Sequence, residues 1–159
     1  MGKLKNPVRD EKLFLLIRNF LLTYLPVQRR ASENTVAVYR TVLNQFLRFA
    51  ADKRNIPVTS VTFDLFSYGM ITAYLSSLIT EKGLSPATWN NRLAALKAFI
   101  SYASACCPEY IAVSAELSAI KAQKDDPFSK VEYMSEEAVR VLLAEPDTTT
   151  RLGLRDQVM

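Results

Sequence analysis

The segment that most constrains the fold is residues 85–103, SPATWNNRLAALKAFISYA, which reads as one long helix with two unlike sides. Ser85 suits an N-cap, and Pro86 suits the first helical position, where its missing N–H is not needed and its φ is already helical. Trp89, Leu93, Leu96, Ile100 and Ala103 follow at steps of 4, 3, 4 and 3, so they share one side of a 3.6-residue period and predict a core-facing stripe. The opposite side carries Ala87, Asn90, Ala94, Lys97, Ser101 and Ser104, small or polar apart from one lysine. Side chains this short let another molecule come close to the backbone.

An earlier segment has the same design. Ser32 is placed to cap a helix reaching about Arg54, with Thr35, Tyr39, Val42, Phe46 and Phe49 as its apolar stripe and Val36, Leu43, Leu47 and Ala50 widening it. Its far side reads Ala37, Thr41, Asn44, Arg48 and Ala51. Before it, residues 12–25 predict a helix that is apolar around most of its circumference, which Pro26 should end. After it, Asn55-Ile56-Pro57 breaks the helix, and Thr62 or Ser67 can cap a third helix with Ile71, Leu75, Leu78 and Ile79 inward and Gly83 as a left-handed stop. The third helix and the Ser85 helix should then form a tight hairpin. Residues 109–120 predict a weaker fifth helix, with Tyr110, Val113, Leu117 and Ile120 on one side. The fold class expected is therefore all-α, a bundle of four to five helices.

Residues 121–130 are polar and contain Pro127, the composition of a linker. Beyond them, a short extended run at 131–134 and a capped helix opening at Ser135-Glu136-Glu137 and stopped by Pro146 predict the front edge of a second domain, because so small a remnant could not bury a core of its own. The expected organisation is a basic tail at 1–9, a helical domain at 10–120, a linker at 121–130 and the start of another domain at 131–159.

Charge separates along the same divisions. Residues 1–60 carry 11 Lys/Arg against 4 Asp/Glu, whereas residues 106–159 carry 6 against 10. A basic N-terminal half on a helical module points to a polyanion as partner. No run approaches the roughly 18–20 apolar residues of a membrane span, so no membrane partner and a cytoplasmic setting are expected. The only cysteines, Cys106 and Cys107, are too few and too close for a disulfide framework and read as small buried or half-buried residues.

Much chemistry is excluded. The chain has no histidine, so it holds no His general base, Ser-His-Asp triad or HExxH metal site, and its four glycines form no phosphate loop. The acidic pairs Asp125-Asp126 and Glu136-Glu137 lie in the linker and at a helix start, where solvation and the helix dipole account for them. No cofactor is expected, and this chain by itself is not expected to be an enzyme.

Ser32-x-x-Thr35-x-x-x-Tyr39 opening one helix, and Ser85-Pro86-x-Thr88-x-Asn90-x-Arg92-Leu93-Ala94-Ala95-x-Lys97-x-Phe99 forming another, resemble the N-terminal core-binding, SAM-like domain of tyrosine recombinases, the phage integrases and Xer-like enzymes. Met134-Ser135-Glu136-Glu137 and Thr150-Arg151-Leu152-Gly153-Leu154-Arg155-Asp156 are similar to the entry into that family's catalytic domain. The resemblance implies a SAM-like helical half-clamp that grips double-stranded DNA for integration or recombination, joined to a catalytic domain and acting with other recombinase protomers in a tetrameric synapse. Family catalysis uses an arginine, a lysine, a His/Arg cluster and a tyrosine nucleophile. Nothing up to Met159 is matched to them, and Tyr39, Tyr74 and Tyr102 read as packed rings with their hydroxyls at the surface.

Within that resemblance the far sides of the Ser32 and Ser85 helices are the expected DNA-facing surfaces, since an α-helix fits the major groove. Arg48 and Lys97 would reach phosphates or guanine edges, Asn44 and Asn90 bases or the sugar-phosphate, and Thr41 lies on the same stripe. Thr88 sits in the first turn, where free N–H groups suit a phosphate. Arg92 lies at the edge of the apolar stripe, where packing along Trp89 and Phe99 competes with phosphate binding. Arg29, Arg30, Arg40, Lys121 and Lys124, with Lys53 and Arg54, suit non-specific backbone contact. The alternative is a helical protein-interaction module whose apolar first helix docks on a neighbouring protomer. A helix-turn-helix regulator is disfavoured, because no dimerisation element is evident.

Overall fold

Four helices of this chain start at a side-chain oxygen. In the computed structural model, which describes residues 8–81, 83–124, 137 and 140, Asp10 caps α1 (Glu11–Asn19), Ser32 caps α2 (Glu33–Arg54), Ser67 caps α3 (Tyr68–Thr80) and Ser85 caps α4 (Pro86–Cys106). Each oxygen accepts from the amide three residues on, satisfying a donor that the first turn leaves free. α5 (Ile111–Ser118) follows a single 3₁₀ turn at Pro108–Tyr110, so the fifth helix begins two residues later than residue 109. The protein is all-α, and no strand occurs among the described residues.

Pro26 does not end the first helix. From Phe20 to Gln28 the chain continues as a π-helix with Pro26 inside it. A proline ring in an α-helix collides with the carbonyl four residues back, and its missing N–H leaves that carbonyl unpaired. The wider π turn shifts the bonding by one residue, as in the Arg29 amide to the Tyr24 carbonyl at 2.9 Å, and so carries the helix past the ring. Arg30 then takes a left-handed φ of 50°, and the Ala31 amide closes on the Leu25 carbonyl. α2 ends in a similar way at Asn55, with φ 52°. Gly83 supplies the third left-handed turn, at φ 59°, where glycine incurs no Cβ penalty.

The core is built from rings. Phe20 lies 5.3 to 5.8 Å from the rings of Tyr24, Tyr39, Phe99 and Tyr102, and Phe99 also meets Phe66 at 5.4 Å. Phe66 continues the chain of rings to Phe46, which reaches Tyr74. Phe20, Phe46, Phe66 and Phe99 are fully buried, and each contributes on the order of 1.5–3 kcal/mol by leaving water. α4 is central: it packs against α2, α3 and α5. Its stripe of Trp89, Leu93, Leu96, Ile100 and Ala103 is buried as expected. On α2, Val42 and Phe46 are buried and Tyr39 and Phe49 half-buried, but Thr35 is exposed and its hydroxyl bonds to Ser32.

Two further expectations are corrected. Ala51 is in the core, because the chain turns back after Asn55 and the Ile56 amide bonds to the Ala51 carbonyl. Cys106 is exposed and Cys107 half-buried, since α4 runs to Cys106 and lifts the pair out of the core. Compact units divide at Met1–Lys124 and Asp125–Met159. In the second unit Glu137 and Arg140 are helical; the extended run at 131–134, the cap at Ser135 and the stop at Pro146 lie outside the described residues.

Candidate nucleic-acid interface

The far side of α2 is open as predicted: Ala37, Thr41, Asn44 and Arg48 are all exposed along one line of the helix. Arg48 stands seven residues beyond Thr41, about 10 Å along the axis. Thr41 faces a groove of about 340 Å³ between the N-terminal halves of α2 and α4, lined by Ala37, Val38, Val42, Thr88, Asn91 and Arg92. Arg48 lies in a separate, more polar groove of about 350 Å³ between α2 and α3, with Gln45, Asp52, Tyr74 and Glu81. Arg40 borders a third groove, beside Leu22, Pro26 and Glu33. The structure therefore brings Thr41, Thr88 and Arg92 together and places Arg48 and Arg40 on the flanks.

The far side of α4 is only partly open. Asn90 Nδ2 donates to the Gln123 carbonyl and Asn90 Oδ1 accepts from the Gln123 amide, both at 2.8 Å. About two turns further on, Lys97 Nζ donates to the carbonyls of Ile120 at 2.6 Å and Ser118 at 3.3 Å. The free small-polar stripe expected on this side is thus occupied along Asn90 and Lys97 by the chain's own segment 118–123. A helix that ends at Ser118 leaves carbonyls unpaired, and a lysine beside them satisfies both hydrogen bonding and the dipole.

Thr88 and Arg92 are also engaged. The Thr88 amide, expected to be free, bonds within the Ser85 cap, to the Ser85 carbonyl at 3.0 Å and Oγ at 3.4 Å. Arg92 Nη1 donates to Gln45 Oε1, and the same oxygen accepts from Tyr74 Oη at 3.5 Å. Burial raises the Tyr74 phenol above its ordinary range, with the Arg92 charge opposing that rise. Tyr74 is 2% exposed, so its hydroxyl is turned inward and not to the surface. Gln45 thereby joins α2, α3 and α4 at one atom. It was missed from sequence because it is a single polar residue at the margin of an apolar stripe, and its partners lie 29 and 47 residues away.

Arg29, Arg30, Lys121 and Lys124 are exposed in connecting segments, and Lys53 lies over the Phe49 ring at 5.7 Å. Among the described residues the ion pair is Lys12 with Glu109, at 2.5 Å; Arg29, Arg30, Arg40, Arg48, Lys121 and Lys124 form no ion pair there, although Arg48 shares its groove with Asp52 and Glu81 and Arg40 with Glu33. Among those residues no group of His, Cys, Asp or Glu could hold a metal ion, and no helix is long and apolar enough to cross a membrane.

The family model described as "Phage integrase, N-terminal SAM-like domain" matches residues 18–105, a span that includes α2, α3 and nearly all of α4. The chain belongs to this family. The phage integrase SAM-like chain is similar to y4rC of Sinorhizobium fredii, named as an integrase/recombinase, with 33% identity over 89% of the chain and 42% of that relative. It is similar also to y4rD of the same organism, named likewise, at 25% over 89% of the chain and 50% of the relative. A tyrosine recombinase XerC of Herpetosiphon aurantiacus shares 36% identity over 51% of the chain and 24% of its own length. The chain thus spans half or less of the length of these curated relatives. No solved structure matches it.

Proposed function

We propose that the chain is the DNA-gripping part of a site-specific tyrosine recombinase or integrase, and that it holds the target duplex while a catalytic domain carries out strand exchange. The observation that carries the reading is that the family span, residues 18–105, contains the α2–α4 groove and the exposed cations Arg40 and Arg48 on its flanks. In this reading the duplex lies along Ala37, Thr41, Asn44 and Arg48 of α2 and the Thr88–Arg92 end of α4. Short side chains there admit the backbone of a helix to the major groove. Arg48, Arg40, Arg29 and Arg30 bind phosphates on either side, and Lys121 and Lys124 extend the basic edge. Arg92, already bonded to Gln45, fixes the groove and offers its remaining donors to the nucleic acid. The helical domain is residues 10–120, the linker 121–130, and residues 131–159 open the catalytic domain. The partners are double-stranded DNA, that catalytic domain and other recombinase protomers.

Fluorescence anisotropy with duplex DNA over a salt series tests the reading. Four to six phosphate contacts give a slope of log affinity on log salt of about −4 to −5, and micromolar or weaker binding at physiological salt. Arg48→Ala flattens the slope by about one unit. Absence of binding at low salt, or an Arg48→Ala slope equal to the parent's, refutes it.

A second reading has an observation of its own. Leu15, Leu22 and Val27 are large, apolar and more than half exposed on α1 and the π-helix, and Leu22 lines the groove formed with Pro26, Ala31 and Val36. Such a surface suits protomer contact. Sedimentation of the DNA-free chain separates the two: a dimer disrupted by Leu22→Asp, with DNA binding unchanged, assigns this surface to assembly.

A further inference from the structure

The occupied side of α4 has a use of its own. Segment 118–124 leaves α5 and runs back along α4, and it is held there by two side chains acting on its backbone. Asn90 pairs with both polar groups of Gln123, a bidentate match that fixes position and direction together. Lys97 holds the carbonyls of Ser118 and Ile120, while the Ile120 side chain is 5% exposed and anchors the segment in the core. Two of the four bonds join Asn90 to the Gln123 backbone, which has no regular secondary structure and would otherwise bond to water, and two join Lys97 to carbonyls at and just past the end of α5. Gln123 is the partner of Asn90, and Asn90 is the immediate neighbour of Asn91, which lines the α2–α4 groove. Lys121 follows Ile120 and Lys124 follows Gln123 directly, so the pinned backbone is the one that carries both exposed lysines.

We propose that Asn90 and Lys97 are positioning residues: they clamp the exit of the helical unit onto α4 and so hold Lys121 and Lys124 as a fixed basic edge of the DNA-binding face. The second half of this assignment rests on the DNA-gripping reading. A basic segment fixed before binding gives up little freedom when it meets a phosphate, whereas a free one must be ordered at that moment. The clamp therefore acts on affinity without touching DNA.

The test uses the full chain in four forms: parent, Asn90→Ala, Lys97→Met and Lys97→Arg. Amide exchange by NMR should show the Gln123 amide protected in the parent and exchanging about tenfold faster in Asn90→Ala, the factor for one net hydrogen bond. Leu96 and Phe99 amides should be unchanged in the same sample, which shows that the helix remains folded. Trypsin should cut after Lys121 and Lys124 faster in Asn90→Ala and Lys97→Met but not in Lys97→Arg, which keeps the donors. A parent whose Gln123 amide exchanges as in a free peptide, or an Asn90→Ala variant with parental exchange, overturns the clamp. For DNA, Lys121→Ala/Lys124→Ala is made in both the parent and the Asn90→Ala background. Asn90→Ala removes no charge, so simple screening predicts additive losses, whereas the proposal expects the lysine pair to lose at least about threefold of its effect once unclamped. Additivity overturns the positioning of the lysines. A parent that binds no duplex refutes the DNA-gripping reading and that half of the proposal, and the exchange data still decide the clamp.

Discussion

Asp10 is the most sharply testable residue of the fold, because its two carboxylate oxygens do separate work. Oδ1 accepts from the Leu13 amide at 2.9 Å and caps α1, while Oδ2 accepts from the Phe63 amide at 3.0 Å, 53 residues away. Beside it the Arg9 amide bonds to the Thr59 carbonyl, so the start of α1 is tied to the turns between α2 and α3. Asp10→Ala removes an N-cap, at about 1 kcal/mol, and leaves the part-buried Phe63 donor without a partner, at about 1–3 kcal/mol. The expected loss is about 2–4 kcal/mol. Asp10→Asn has the same shape but only one oxygen, and its NH₂ group meets the other amide donor to donor, so one bond survives and about half the loss is expected. Urea unfolding measures both, with exchange of the Leu13 and Phe63 amides showing which bond remains. If Asp10→Asn is as stable as the parent, or Asp10→Ala loses less than about 1 kcal/mol, the two-bond account is wrong.

Two further outcomes follow from the aromatic core. Phe99 is fully buried among Phe20, Phe63 and Phe66, so Phe99→Ala should cost about 3–5 kcal/mol and Phe99→Leu less, measured by urea unfolding; equal losses would contradict ring packing as the source. Burial, assisted by the neighbouring Cys106, pushes the Tyr102 phenol from 10.0 up to about 12. The folded state then binds the proton more tightly than the unfolded chain, so this contribution is complete below pH 10 and is lost as pH rises from 10 towards 12. Tyr102→Phe should flatten the fall in stability over that window, read from urea midpoints at successive pH values, and parallel profiles for parent and variant would refute it.

Local chemistry was legible and long-range bonding was not. Ser32 and Ser85 cap helices where their sequences place them, and the stripe from Trp89 to Ala103 is buried, because an amide three residues on and a 3.6-residue period are properties of the segment itself. Pro26 was misleading for a physical reason: a proline excludes the α register, and the chain adopted the π register to keep Phe20, Leu21 and Leu25 in the core. Asn90 and Lys97 look like surface residues in sequence, since nothing nearby reveals that backbone 33 or 23 residues further on will come to meet them. Asp10 is similar. Its capping of α1 could have been read from its place before Glu11, but its bond to Phe63 could not.

These long-range bonds change where the candidate surface lies. Asn90 and Asn91 point about 100° apart on the helix, so once Asn90 is committed to Gln123 the open part of α4 turns towards Asn91, Thr88 and Arg92, the side that shares a groove with α2. The separation of the two helices across that groove is then set by Gln45, which receives Arg92 from α4 and Tyr74 from α3. A groove braced in this way needs little rearrangement to receive a ligand, and binding energy is not spent on ordering its walls. Arg92 therefore contributes to the candidate interface chiefly by fixing its width. In the proposed DNA-gripping role the exposed cations of α2 and of the two connecting segments would supply the attraction, so charge removal is expected to be felt most at Arg48 and bond removal most at Asn90.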